Sequence, residues 1–203
     1  MKSQKRKGFT LVELLIVIVV IGVLSAMMML SSTEAVTSAK ATKIVSDMLQ
    51  IKKAATEWYL DHYEQFQYVD KNKGFLLDGK TDLHTYLKNN PSELAKYFSN
   101  AEISANGGLG NYSSENNNEY YAAKGGYALY MGKSNTVCYV VYKISDHNEA
   151  SEEGRLKSKL QARARQSGLL SYKFGKDRTS TSKEYNGKDA NVFMEVFKLG
   201  EYN

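Results

Sequence analysis

A long apolar run, FTLVELLIVIVVIGVLSAMMML, occupies residues 9–30 of the 203-residue chain. As an α-helix with a rise of ~1.5 Å per residue, the run is about 33 Å long, enough to cross a bilayer core of ~30 Å. The positive-inside rule keeps the bases that precede the run in the cytoplasm. These bases are Lys2, Lys5, Arg6 and Lys7. The sequence therefore predicts one membrane-spanning helix, with the rest of the chain outside the cytoplasm.

One carboxylate, Glu13, lies inside this apolar run. A charged group within a membrane helix costs about 2.5–3.5 kcal/mol on insertion scales and usually has a partner and a function. Cleavage after Gly8 would give Phe9 a free α-amino group. Such an ammonium on a neighbouring copy could pair with Glu13 and set the axial register of packed helices. The alternative is a carboxylate that snorkels to the interface or stays protonated.

The run differs from an ordinary secretory signal, which is shorter and ends at a small-residue cleavage site on its far side. Here Ser25-Ala26 is followed by four more apolar residues, Met27 to Leu30. The small residue that stands out is Gly8, on the near side, between the basic tip and the apolar run.

The stretch GFTLVE at residues 8–13, followed by LLIVI, resembles the prepilin cleavage and methylation motif of type IV pilins and type II secretion pseudopilins. The resemblance covers about the first thirty residues, and Gly22 matches a glycine common in the family's membrane helix. It implies cleavage after Gly8 by a prepilin peptidase/methyltransferase and N-methylation of Phe9. It also implies that Glu13 acts in methylation and pairs with a neighbour's N-terminus during filament assembly.

Two features common among pilins are missing. Many pilins have a proline where this chain has Leu30, whereas the single proline here is Pro91. The paired cysteines that close a C-terminal loop in many adhesive pilins are also absent, because Cys138 is the only cysteine. These departures favour a pseudopilin or minor pilin over a major type IVa pilin. Among these, a type II secretion pseudopilin is favoured first, a minor or atypical type IV pilin second, and a competence-type pseudopilin for DNA uptake third.

Composition excludes several other classes of function. Four leader bases account for most of the +5 net charge, so no nucleic-acid partner is expected. A single cysteine allows neither an intrachain disulfide nor a cysteine-based metal motif, and the three histidines lack ligand spacing. We therefore predict no cofactor, no metal and no catalytic residue.

The chain divides into four predicted segments. Residues 1–8 form a basic prepilin leader, 9–30 a transmembrane and filament-core helix, 31–65 its amphipathic extension, and 66–203 an extracytoplasmic globular domain. Apolar residues at alternating steps of three and four predict one buried stripe along the extension. Its members are Ala41, Ile44, Met48, Ile51, Ala55, Trp58 and His62, whereas Lys43, Asp47, Lys53 and Glu57 lie off it.

The fold class predicted for the whole chain is α+β and pilin-like, with a long N-terminal helix packed on a small antiparallel sheet. Alternating β-forming residues predict a hairpin from 126–131 and 136–144. A helix is predicted at 149–166, and further strands at 171–174 and 191–199. A short helix should open at Asn90–Glu93 and run to about Phe98. Residues 63–82 indicate an irregular connection, and 106–119 a polar loop.

Three further groups of residues are of types that can form sites. Cys138 with His147 could form a nucleophile and base, but a mid-strand cysteine is usually buried and inert. The bases between Arg155 and Arg165 are typical of a solvated helix end, with a contact to an acidic partner or phosphate as the alternative. Asp78–Asp82 and Gly187–Asp189 offer oxygen ligands for calcium, although they lack the spacing of a calcium loop and favour ordinary turns.

These observations predict a structural subunit of a type II secretion or type IV pilus filament, acting by assembly and not as an enzyme. The expected location is the bacterial inner membrane, crossed once, and the filament after assembly. Expected partners are the prepilin peptidase, other pilin or pseudopilin subunits, the inner-membrane assembly platform and the membrane. The alternative is a signal-anchored extracytoplasmic binding domain or enzyme in which the Gly8–Glu13 pattern is coincidental.

Overall fold

The protein is described here from a computed structural model covering residues 8–70, 73–90, 93–97, 113–114, 120–121, 126–132, 136–144, 151–173 and 181–200. Its dominant element is α1 (Leu11–His62), a continuous 52-residue helix about 78 Å long. The apolar half, from Leu11 to Met29, is exposed on every side. The polar half packs on the globular domain.

The buried stripe predicted on the second half of α1 is confirmed. Its six residues from Ala41 to Trp58 are buried, and His62 is half-buried. Asp47, which the sequence places off this stripe, is buried as well, because the hydroxyl of Tyr127 donates a hydrogen bond of 2.9 Å to its carboxylate.

A β-hairpin follows α1, where the sequence predicted an irregular connection. After a 3-10 turn at Tyr63–Gln65, strands β1 (Phe66–Asp70) and β2 (Gly74–Leu77) pair antiparallel. The prediction was wrong because these short strands depend on contacts outside themselves. Phe66 packs edge-on against Trp58 of α1, and Leu77 is buried in the core.

A second correction concerns the short helix expected from Asn90. Helix α2 (Leu83–Asn89) instead ends there, with the Asn90 amide donating to the Tyr86 carbonyl at 2.9 Å. Asp82 caps the start of α2 by accepting from the Thr85 amide at 2.9 Å. After Asn90, the described residues contain a 3-10 turn at Leu94–Tyr97.

The polar loop expected at 106–119 is mostly outside the described residues. Within and beside it, a two-residue ladder joins β3 (Ser113–Ser114) and β4 (Tyr120–Tyr121).

The main sheet contains five antiparallel strands, which lie side by side in the order β5 (Tyr127–Gly132), β6 (Val137–Lys143), β9 (Asn191–Lys198), β7 (Leu169–Lys173) and β8 (Thr181–Glu184). The predicted hairpin is confirmed as β5 and β6, although 133–135 of its turn lie outside the described residues. Helix α3 (Ser151–Ser167) corresponds to the helix predicted at 149–166, of which 149–150 are not described.

Strand β8 was missed because nothing in its sequence, TSKE, is apolar. It lies at the edge of the sheet and pairs only with β7 among the described strands. Polar side chains are common on edge strands, which need no buried face.

Both faces of the sheet carry buried side chains. One face contributes Cys138 and Val140 to a core that also contains the stripe of α1 and Leu160 of α3. The opposite face forms a smaller cluster around Tyr139 and Phe193. The architecture is therefore α+β, with the long helix packed on the antiparallel sheet, as predicted.

Candidate processing and assembly segment

The start of α1 is held by a capping box between Thr10 and Glu13. Thr10 is the extended N-cap residue, and its hydroxyl accepts from the Glu13 amide at 3.2 Å. In return, Glu13 Oε2 accepts from the Thr10 amide and from the Thr10 hydroxyl, each at 2.8 Å. A carboxylate in the first turn is also favoured by the helix dipole.

Glu13 therefore has a role within its own chain that sequence reasoning missed. The signal was present, because a threonine followed three residues later by glutamate before an apolar run is typical of a capping box. Only Oε2 takes part in it. Within the described residues, Oε1 receives no hydrogen bond and can accept from a donor on another molecule.

Gly8 and Phe9 lie just before the helix and are exposed. A Cβ added to Gly8 would meet no atom within 4 Å, and the side chain of Phe9 is 89% exposed. The fold of the described chain therefore does not require glycine at position 8. Residues 1–7 of the predicted leader lie outside the described residues.

Among the described residues, no other part of the chain covers the apolar half of α1. Its large side chains, from Leu11 to Met29, are each at least half exposed. By length and composition, α1 is the one helix among the described residues able to cross a membrane. A Cβ added to Gly22, within this half, would also meet no atom within 4 Å.

Comparison with protein families identifies this segment. Residues 3–29 match the family model described as the prokaryotic N-terminal methylation motif. The chain carries a type IV pilin-like N-terminus. This motif implies processing by a prepilin peptidase and pilin-type assembly, and proteins that carry it are typically structural rather than enzymatic. The pilin-like segment and the exposed apolar helix are together consistent with a membrane-anchored protein.

No curated protein and no solved structure matches the chain.

The structure places Cys138 in the core and not in a reactive site. Its side chain is fully buried, and burial raises the pKa of its thiol well above the ordinary range. Because the thiolate is the reactive form, a buried thiol of this kind is chemically inert. His147, considered as its base, lies outside the described residues.

The basic run of α3 is not simply a solvated helix end, and that expectation was wrong for two of its members. Lys157 is buried, with its ammonium 3.4 Å from the Lys188 carbonyl oxygen. The guanidinium of Arg163 donates to the hydroxyls of Ser38 at 3.0 Å and Thr42 at 3.2 Å, fastening α3 to α1.

The two segments considered for calcium form turns. Asp78 and Gly79 adopt left-handed backbone conformations, with φ of 51° and 67°. In the other segment, the Lys188 amide donates to the side-chain oxygen of Asn186, which precedes the segment, at 2.8 Å. Among the described residues, no three His, Cys, Asp or Glu side chains come together to hold a metal.

Proposed function

We propose that the chain is the precursor of a filament subunit, a pseudopilin or minor pilin of a type II secretion or type IV pilus system. The observation that carries the proposal is a methylation motif at residues 3–29 on a helix whose apolar half is exposed on every side. A surface of this kind must be covered by lipid or by other protein. A membrane pool and an assembled fibre would supply these two environments in turn.

Processing would remove residues 1–8 and methylate the new N-terminus. Gly8 and Phe9 precede the N-cap Thr10, so the bond between them lies outside the helix and is accessible to a peptidase. Glycine at position 8 has no role in packing among the described residues. Its role is then recognition by the prepilin peptidase, whose second activity would methylate Phe9.

Assembly would use the open oxygen of Glu13. Oε2 is already engaged by Thr10, whereas Oε1 can accept from the methylated ammonium of Phe9 on a neighbouring subunit. Inside a bundle of apolar helices, an unpaired charge is costly, so each subunit would favour the one register that pairs both groups.

The globular domain would lie outside the cytoplasm, anchored in the inner membrane by one helix. The partners would be other pilin or pseudopilin subunits and an inner-membrane assembly platform. The subunit would act by assembly and would need no cofactor and no nucleic acid.

The test is the intact mass of the protein recovered from membranes of its own host. We expect a chain that starts at Phe9 and carries one methyl group. The matched control is Gly8→Val, at a position where an added Cβ meets no atom within 4 Å. This variant should remain uncleaved. A wild-type chain that still starts at Met1, in cells with active prepilin peptidase, would contradict the proposal and favour a signal-anchored domain.

A further inference from the structure

A groove of about 530 Å³, lined by charged, hydroxyl-bearing and apolar groups, lies between α1 and α3. Helix α1 contributes Glu34 and Thr37 to it. Both precede Ala41, where the buried stripe of α1 begins, so the groove is on the side of the domain that faces the apolar half of α1. Helix α3 lines the groove with Arg155, Ser158, Lys159 and Ala162, among others.

The groove lies at the depth of lipid headgroups if the apolar run spans a membrane, which is part of the proposed function. Glu34 is four residues beyond Leu30, or ~6 Å along the helix, and Thr37 is ~10 Å beyond it. The headgroup layer on each side of a bilayer is about 5–7 Å thick. The flexible side chains of Arg155 and Lys159 can bridge the remaining distance.

The charge of α3 is strongly positive, with five bases and two acids between Ser151 and Ser167. One of the acids, Glu152, is 3.7 Å from the ammonium of Lys40 on α1. Glu34 is the acid that lines the groove itself. Within the described part of the chain, neither Arg155 nor Lys159 has an ion pair, so both cations are open to an external anion.

We infer that this groove binds the phosphates of anionic phospholipids, so that α3 rests on the membrane surface before the subunit enters a filament. Guanidinium and ammonium groups are the side chains that recognise phosphate, and basic segments beside a membrane anchor are attracted to anionic lipid. An acidic surface on a second copy is the competing occupant. Headgroup depth favours lipid, because the anchor itself holds the groove beside the phosphates.

The experiment uses the full chain, placed singly in lipid nanodiscs and labelled with a nitroxide at Ala162→Cys. Ala162 is exposed in the groove, whereas Cys138 is buried and does not compete for the label. The readout is relaxation of the nitroxide by a nickel-chelating lipid. We expect about threefold faster relaxation in discs rich in phosphatidylglycerol than in phosphatidylcholine alone, and loss of the difference at about 0.5 M salt.

Arg155→Gln with Lys159→Gln should abolish the dependence on anionic lipid. The matched control, Lys52→Gln with Lys53→Gln, removes the same charge from α1 more than 30 Å beyond the apolar run and should preserve it. Nitroxide relaxation that does not depend on lipid charge would overturn the inference. Spin–spin broadening in discs that hold two copies, absent with one copy, would also overturn it, because it would identify a second copy as the occupant of the groove.

Vesicle extraction separates this inference from the proposed function. A chain that alkaline carbonate leaves in the vesicles is inserted, and failure of the nitroxide test then concerns the headgroup contact alone. Release of the chain by carbonate would overturn the proposed membrane anchor, and with it the proposed headgroup contact.

Discussion

The carboxylate of Glu13 accepts two hydrogen bonds from Thr10, one from its amide and one from its hydroxyl, both at 2.8 Å. The residue that we propose to pair with a neighbouring subunit thus also caps the start of its own helix. Oε2 accepts both hydrogen bonds of the cap, and Oε1 accepts none among the described residues. The two roles can be separated by substitution, because capping needs an acceptor whereas pairing with an ammonium needs a negative charge.

Glu13→Gln should preserve the capping box with Thr10 but prevent assembly into filaments. Glutamine serves in a capping box as well as glutamate does, but its neutral amide cannot neutralise a neighbour's ammonium. We expect normal membrane insertion and little or no filament, measured by immunoblotting of sheared filaments. Thr10→Ala is the complementary control, since it keeps the charge and removes the cap at a cost of about 1 kcal/mol. Normal filaments from Glu13→Gln would show that capping alone explains this residue.

Tyr127→Phe should destabilise the domain by about 1–3 kcal/mol, because it leaves the buried carboxylate of Asp47 without its donor. The measurement is denaturant unfolding of the detergent-solubilised chain, followed by fluorescence of Trp58, the only tryptophan. Tyr97→Phe is the matched control, because its hydroxyl donates to Asp61 at 2.8 Å on the exposed surface. That change should cost well under 1 kcal/mol. Equal losses from the two variants would contradict this account of Asp47.

The free energy of unfolding should fall as the pH rises above about 10, the ordinary pKa of tyrosine. Burial raises the pKa of Tyr127, Tyr142 and Tyr185, and for Tyr127 the bond to Asp47 raises it further. Above pH ~10 the unfolded chain releases these protons while the folded chain retains them, so stability is full below that pH and declines above it.

The alkaline loss is measured by repeating the denaturant titration across this range. Tyr185→Phe removes one of the buried groups and should flatten the decline, whereas a variant with the wild-type slope would contradict the assignment.

Cys138 should resist thiol reagents in the folded protein. Its side chain is fully buried and burial raises the pKa of the thiol, so both access and the thiolate are lacking. We expect no mass shift after incubation with iodoacetamide under native conditions and complete modification in denaturant. Modification of the native protein at the rate seen in denaturant would place Cys138 in an accessible site.

Features with a local origin were predictable from the sequence. The continuous α1 follows from a proline-free run with a repeating apolar stripe, and the β5–β6 hairpin follows from β-forming residues on both sides of a short polar turn. The pilin-like segment is equally local, because the methylation motif is a linear pattern of neighbouring residues.

Features that depend on distant contacts were not predictable. The β1–β2 hairpin depends on the packing of Phe66 against Trp58, and the polar edge strand β8 depends on β7 being present to pair with it. Asp47 and Lys157 belong to residue types that are normally exposed, and each is buried because a partner far along the chain satisfies it.

The sequence by itself thus determined the long helix, its bare apolar half and the processing motif, because periodicity and linear recognition depend on neighbouring residues. Only the tertiary structure decided which charged side chains bind partners within the domain and which can bind another molecule. Arg163 is fastened to Ser38 across 125 residues, whereas Arg155 on the same helix has no ion pair among the described residues. The physical reason is that a charge is satisfied by whatever the fold brings within hydrogen-bond distance, which residue spacing alone does not reveal.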